Sequence, residues 1–303
     1  MIGANMRGTI VHTGHTAAIY VLTPSSDGAL FSGGAEGALL SWHPARAGEV
    51  WVVARLPAPV YSIHPRADGS LFVGTAAGEL FALDQGTKQV LHRISAHAKG
   101  IFSILPLNDD RLACAGGDGS LSIWKVKAPG PARCELLRNI PLCDAKLRGL
   151  ALSAAGDRLA VACGDGVVRV LETELFNEVA NCTGHAEGAN SVVFHPSRPV
   201  LLSGGKDGHL RLWDTKNSYR KVLSIAAHRS TIYQLAFDPK GERCVSVSRD
   251  KTVKVWNANT FDPMERLDAQ HGGHSHSVNA ACWMNGDLFT GGDDRKLLRW
   301  SDT

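Results

Sequence analysis

Residues 203–213 read SGGKDGHLRLW, and the same sentence is written again and again along this chain. It returns as SGGAEGALLSW ending at Trp42, ACAGGDGSLSIW at Trp124, VSVSRDKTVKVW at Trp256 and TGGDDRKLLRW at Trp300. Each copy places an acid six residues before the indole: Glu36, Asp118, Asp207, Asp250 and Asp294. Two weaker copies fill the gaps. VGTAAGELFAL ends at Leu83 with Ala77 in the acid position, and VACGDGVVRVL ends at Leu171 with Asp165. Successive end points lie 41, 41, 47, 42, 43 and 44 residues apart, so one unit of about 43 residues recurs seven times.

A second marker precedes each tryptophan by 26 to 28 residues: Gly14-His15, Ala96-His97, Gly184-His185, Ala227-His228 and Gly273-His274. The weak copies carry Leu56 and Cys143 there. Between markers lie short β-type runs such as IYQLAF (232–237) and CVSVS (244–248), punctuated by turns such as Pro239-Lys240-Gly241. No stretch reads as a long amphipathic helix. The period suits one blade of a propeller. With its Gly-His opening, its acid before the last strand and its closing tryptophan, the chain resembles the WD-repeat family from about residue 6 to residue 303. Trp213-Asp214 is the one literal Trp-Asp pair.

That resemblance implies an all-β, seven-bladed propeller of four-stranded antiparallel blades, forming one domain over residues 1–303. It also implies a buried chain of His, Ser/Thr, Asp and Trp in each blade. Such a chain makes physical sense, because a buried acid is costly unless paired and the indole supplies a donor on a large apolar body. Three copies are complete: His185–Ser203–Asp207–Trp213, His228–Ser246–Asp250–Trp256 and His274–Thr290–Asp294–Trp300. The first repeat substitutes Glu36, and the third carries Cys114 in place of the hydroxyl. Repeats two and four lack most members, so packing alone must hold them and they are expected to be the least stable. The chain stops three residues after Trp300, leaving the last blade short of an outer strand. By resemblance, residues 6–12 supply it and close the ring, which removes an exposed sheet edge.

Composition narrows the function. The 303 residues are 44% hydrophobic, enough for a large core. Lys+Arg 32 against Asp+Glu 29 leaves +3, so neither nucleic acid nor a membrane surface is expected as partner. No apolar run approaches the ~18 residues of a membrane span. Seven cysteines without a Cys-x-x-Cys pair argue against a disulfide framework or zinc knuckle and for the cytoplasm.

A His, a Ser and an Asp in one repeat invite a hydrolase reading. Three copies speak against it, since catalytic groups are singular, and no Gly-x-Ser-x-Gly elbow is present. The run Gln270-His271-Gly272-Gly273-His274-Ser275-His276 contains no Cys or acid of its own to complete a four-ligand metal set. Gly204-Gly205-Lys206 lacks the Ser/Thr of a phosphate loop and reads as a turn. No enzyme activity, metal or cofactor is therefore expected. The segment 127–134 (KAPGPARC) reads as a surface loop on the wide face.

In peptide-binding members of the resembled family, contacts gather on the narrow face around the central channel. Carried over copy by copy, the innermost position, five after the His, holds Tyr20, Tyr61, Phe102, Arg148, Asn190, Tyr233 and Asn279. Three after the His fall Ala18, Pro59, Gly100, Lys146, Gly188, Thr231 and Ser277. Just before the acid fall Ala35, Ala76, Gly117, Gly164, Lys206, Arg249 and Asp293. Aromatics dominate blades one to three, and Lys146, Arg148, Lys206 and Arg249 dominate blades four to six. The expected function is a monomeric, non-enzymatic platform for a protein or peptide with an apolar anchor and acidic flanks. A small-molecule or carbohydrate-binding propeller that uses the aromatics for stacking is the alternative.

Overall fold

The computed structural model describes residues 6–12, 14–43, 49–127 and 133–302, including the side chains of all of these except 7–12. Among the described residues, twenty-eight strands form seven antiparallel sheets of four. Blade 5 shows the plan. Its strands a to d, inner to outer, are Ala189–Phe194, Val200–Gly205, His209–Asp214 and Arg220–Ala226, paired in that order. Strand b is buried along nearly its whole length, while strand d is mostly exposed. A continuous apolar run in the middle of a blade, rather than an alternating one, follows from that double burial.

Seven apolar clusters make up the core, and each joins two neighbouring blades. Leu30 and Trp42 of blade 1 pack with Phe289 and Leu297 of blade 7, while Phe31 and Leu39 pack with Val73 and Phe81 of blade 2. The core thus lies between blades. Each unit buries its faces only against its neighbours, so the ring must close to bury the last pair. Closure is made as expected: Met6–His12 pairs antiparallel with Leu297–Asp302, setting Gly8 opposite Trp300. Met6 is buried in the cluster between blades 6 and 7, and its backbone N–H donates to Glu265 Oε2 at 3.0 Å.

The hydrogen-bonded chains form where they are complete in sequence. In blade 5, His185 Nδ1 meets Asp207 Oδ1 at 3.1 Å and His185 Nε2 meets Ser203 Oγ at 2.9 Å. The Trp213 indole donates to the same Ser203 Oγ at 2.9 Å. Blade 1 accommodates its longer acid, with Glu36 Oε1 2.6 Å from His15 Nδ1. Blade 3 corrects the sequence reading. Ser122 on strand c supplies the hydroxyl that Cys114 lacks, at 2.8 Å from His97 Nε2 and 2.7 Å from the Trp124 indole. Blade 2 replaces the chain with the buried apolar residues Leu56, Val73 and Leu83.

Residues 128–132 of the expected wide-face loop lie outside the described residues. Its flanks, Ser120–Lys127 and Arg133–Pro141, pair as strands c and d of blade 3. Among the described residues, no helix is long and apolar enough to cross a membrane.

Candidate functional site

Seven equivalent hydrogen bonds build the rim of the narrow face. In every blade the residue just before the acid donates its backbone N–H to the carbonyl three residues after the His position: Ala35 to Ala18, Ala76 to Pro59, Gly117 to Gly100, Gly164 to Lys146, Lys206 to Gly188, Arg249 to Thr231 and Asp293 to Ser277, at 2.7–3.0 Å. Blades 2 and 4 obey the rule without a His. This bond holds the start of strand a against the b–c turn, and so aims the next side chain but one toward the axis.

The seven innermost residues accordingly meet. Tyr20, Tyr61, Phe102, Arg148, Asn190, Tyr233 and Asn279, with Lys146 and Asp293, line one cavity of about 400 Å³ at the mouth of the channel. Lys206 lines a neighbouring pocket of about 280 Å³ with Lys99, Asp144, Lys146 and Arg148. Arg249 is exposed and lines neither.

The aromatic and basic halves are joined rather than adjacent. Tyr20 packs edge-on to Tyr61 with centroids 5.4 Å apart, and Tyr61 stacks on Phe102 at 5.0 Å and 14°. The Arg148 guanidinium lies 4.3 Å from the Phe102 centroid and Lys146 Nζ 5.6 Å from it. Phe102 is therefore covered by Tyr61 from blade 2 and by Arg148 from blade 4. A guanidinium on an aromatic face is an attractive contact, and it uses up ring surface that a sugar would need for stacking.

Two of the polar positions are committed to the scaffold. Asn190 is buried and donates from Nδ2 to the Ile232 carbonyl at 3.1 Å. Asn279 donates to the Ile19 carbonyl at 2.9 Å and to Asp293 Oδ1 at 2.7 Å. Each ties its blade to strand a of the next.

Charge is uneven around the rim. Among the described residues, Lys99, Lys146, Arg148 and Lys206 make no ion pair with a carboxylate. Their mutual repulsion is felt: Arg148 foremost, then burial, Lys99 and Lys206, holds the Lys146 ammonium below its usual value. Burial, helped by Tyr61, Asp293 and Tyr233, raises the Tyr20 phenol. Such a rim can attract an anion. The Ser203 hydroxyl does touch His185, but both are buried and Trp213 caps the oxygen, so no substrate reaches it.

Sequence reasoning missed Lys99, which stands two residues after His97 on the same rim. It also missed a cluster beneath it: Cys143, Cys163 and a carboxylate oxygen of Asp165 lie within 4.8 Å of one another. Its signal was present as paired departures from the repeat, Cys143 for His and Cys163 for Gly.

The WD domain, G-beta repeat family model matches residues 88–125, 176–214 and 219–257. These lie in three of the seven units, so WD repeats are found in three places along a chain that folds as a seven-bladed β-propeller. It is similar to Polycomb protein esc of Drosophila melanogaster, with 34% identity over 120 residues, covering 39% of this chain and 27% of that protein. Striatin-4 of Mus musculus is 27% identical over 206 residues, covering 63% and 26% respectively. Protein groucho of Drosophila melanogaster is 31% identical over 166 residues, covering 54% and 22%. The chain spans about a quarter of the length of these curated relatives. Among solved structures, the WD40 beta-propeller domain of Doa1 superposes with a TM-score of 0.84 over 99% of this chain and 98% of that one; at 16% identity this speaks to fold alone.

Proposed function

We propose that this propeller is a non-enzymatic scaffold that binds a protein segment or peptide on its narrow face. The apolar anchor enters beside Tyr20, Tyr61 and Tyr233, and acidic flanks lie toward Lys99, Lys146 and Lys206. The observation that carries the reading is the Tyr20–Tyr61–Phe102–Arg148 row at the channel mouth, continuous with cations that pair with no carboxylate among the described residues. Tyr and Arg are favoured at binding hot spots because they bring large area with few rotatable bonds. Seven free cysteines suit a reducing compartment such as the cytoplasm.

Selection from a random peptide library tests this. Enriched peptides are expected to carry an aromatic or branched aliphatic residue flanked by Asp or Glu. Tyr61→Ala should weaken binding at every salt concentration, by about 2 kcal/mol if it is a hot spot. Lys99→Glu with Lys206→Glu should weaken it mainly at low salt, because exposed charges are screened within about 8 Å at physiological ionic strength. Arg148 is left intact, since its contact with Phe102 would mix the two effects. Absence of enrichment, or peptides bound equally by all variants, would sink the reading.

A further inference from the structure

Blade 4 departs from the repeat at two positions that fit one another. In blades 1, 3 and 5 the residue two before the acid is Gly34, Gly116 or Gly205, and a β-carbon added there would run into Nδ1 of His15, His97 or His185. Glycine leaves room for the imidazole. In blade 4 the imidazole position is Cys143, the glycine position is Cys163, and the space one ring would fill is shared by two thiols. Their sulfurs and a carboxylate oxygen of Asp165 all lie within 4.8 Å of one another. Cys163 is buried and Cys143 partly exposed.

Arg169 decides what chemistry this group can do. Its Nη2 lies 2.7 Å from Asp165 Oδ2, while its Nη1 is buried without a hydrogen-bond partner. A guanidinium already paired with the only carboxylate of the group repels a metal cation and leaves just two thiolates to hold one. The same positive charge favours thiolate chemistry.

We propose that Cys143 and Cys163 are a reversible dithiol–disulfide pair that takes the place of the missing hydrogen-bonded chain in blade 4. The oxidant is a hydroperoxide, with hydrogen peroxide as the probe. Cys143 sulfur takes one peroxide oxygen to give the sulfenic acid, releasing water. Cys163 sulfur then attacks Cys143 sulfur: the S–S bond forms, the S–O bond breaks, and the hydroxyl leaves as water with the Cys163 proton. Two thiols lose two electrons and two protons, and the peroxide becomes two waters. A small dithiol reverses the reaction. Cys143 is partly exposed and Cys163 buried, so Cys143 meets the oxidant and Cys163 resolves; burial raises the Cys163 thiol, with Arg169 pulling the other way. The new bond would fasten the segment leading into Lys146 and Arg148 to the strand ending beside Gly164, which together line the cationic pocket.

The test uses the full chain. After hydrogen peroxide, free thiols are blocked with N-ethylmaleimide, and the digest is read by mass spectrometry. A linked Cys143–Cys163 peptide is expected, lighter by two hydrogens, reversed by dithiothreitol, and accompanied by a melting temperature a few degrees higher. Cys143→Ser and Cys163→Ser should each abolish the shift; if a variant fails to fold, the wild-type map decides alone. Maleimide on both cysteines after peroxide overturns the proposal, as does Cys143 oxidised to sulfinic acid beside a free Cys163. So does stoichiometric zinc binding by the reduced protein that shields both thiols from maleimide.

Discussion

Ser122 faces Cys114 across the b–c ladder of blade 3, as Arg211 faces Ser203 in blade 5. Paired residues on antiparallel strands share a face, so a hydroxyl reaches the imidazole from either strand. Ser122→Ala should strand His97 Nε2 and the Trp124 indole N–H in a dry site and cost about 1–3 kcal/mol, read by chemical denaturation. Adding Cys114→Ser should recover part of that loss. Matching the repeat column by column could not find this substitution, because the replacement sits in a different column. Histidine protonation is the other single-residue lever. Burial lowers His15, His64 and His185, taking His64 to about 4, while an unfolded histidine titrates near 6.5. Between those values the unfolded chain binds more protons than the folded one, so stability falls as pH drops from about 6.5 toward 4. Melting temperatures measured across that range should fall steadily, and His64→Gln should flatten the slope. An unchanged slope would mean that His64 takes up its proton equally in the folded and unfolded states.

The b–c turn is the element that repeats most faithfully, and its exceptions are informative. Blades 1 to 5 place Gly37, Gly78, Gly119, Gly166 and Gly208 in the left-handed region after the acid, at φ between 71° and 93°. Blades 6 and 7 place Lys251 (φ 72°) and Arg295 (φ 65°) there. A side chain in that conformation costs about 1–2 kcal/mol, offset in glycine by about 0.5–1 kcal/mol of extra backbone entropy. Lys251→Gly should therefore stabilise the protein by roughly 0.5–1 kcal/mol, with Lys251→Ala as the neutral control in thermal melts. At this scale the sequence was legible even where its signature was lost. Blades 2 and 4 keep the period, and their rim bonds, Ala76 to Pro59 and Gly164 to Lys146, match the others. What the period could not convey is direction across blades. Nothing in the spacing of Phe102 and Arg148 says that one covers the other, because that contact depends on the angle between two sheets. Nor did it reveal that Asn190 and Asn279 spend their amide donors on neighbouring backbone. In blades 2 and 4 apolar packing stands where the other blades carry a polar chain, and their expected lower stability turns on how well it does so. Val73 and Val161 are fully buried in its place, and well-packed apolar replacements for buried polar groups are often neutral.

At the scale of the whole molecule, every blade depends on its two neighbours, so the ring is only as strong as its seam. The seam is the pairing of Met6–His12 with Leu297–Asp302, reinforced by Met6 in the cluster between blades 6 and 7 and by its N–H bond to Glu265. Two contributions are at stake. One is the ladder and the buried methionine, and the other is the cover that the strand gives to the edge of Leu297–Asp302. Deleting residues 1–12 removes both at once. Blade 7 would keep three strands and present an unpaired edge, a template for pairing with a second copy. The shortened chain should melt well below the full one and aggregate with a concentration dependence that the full chain lacks, seen by light scattering during the melt. A synthetic peptide of sequence MRGTIVH (6–12), added in excess, should dock on the open edge and restore part of the melting temperature, since a ligand of the folded state stabilises it by mass action. Replacing Gly8, opposite Trp300, with proline in that peptide should abolish the rescue if the ladder bonds matter, because proline cannot donate an N–H. A shortened chain that melts and stays soluble like the full one would show that the interfaces between blades hold the ring without its seam.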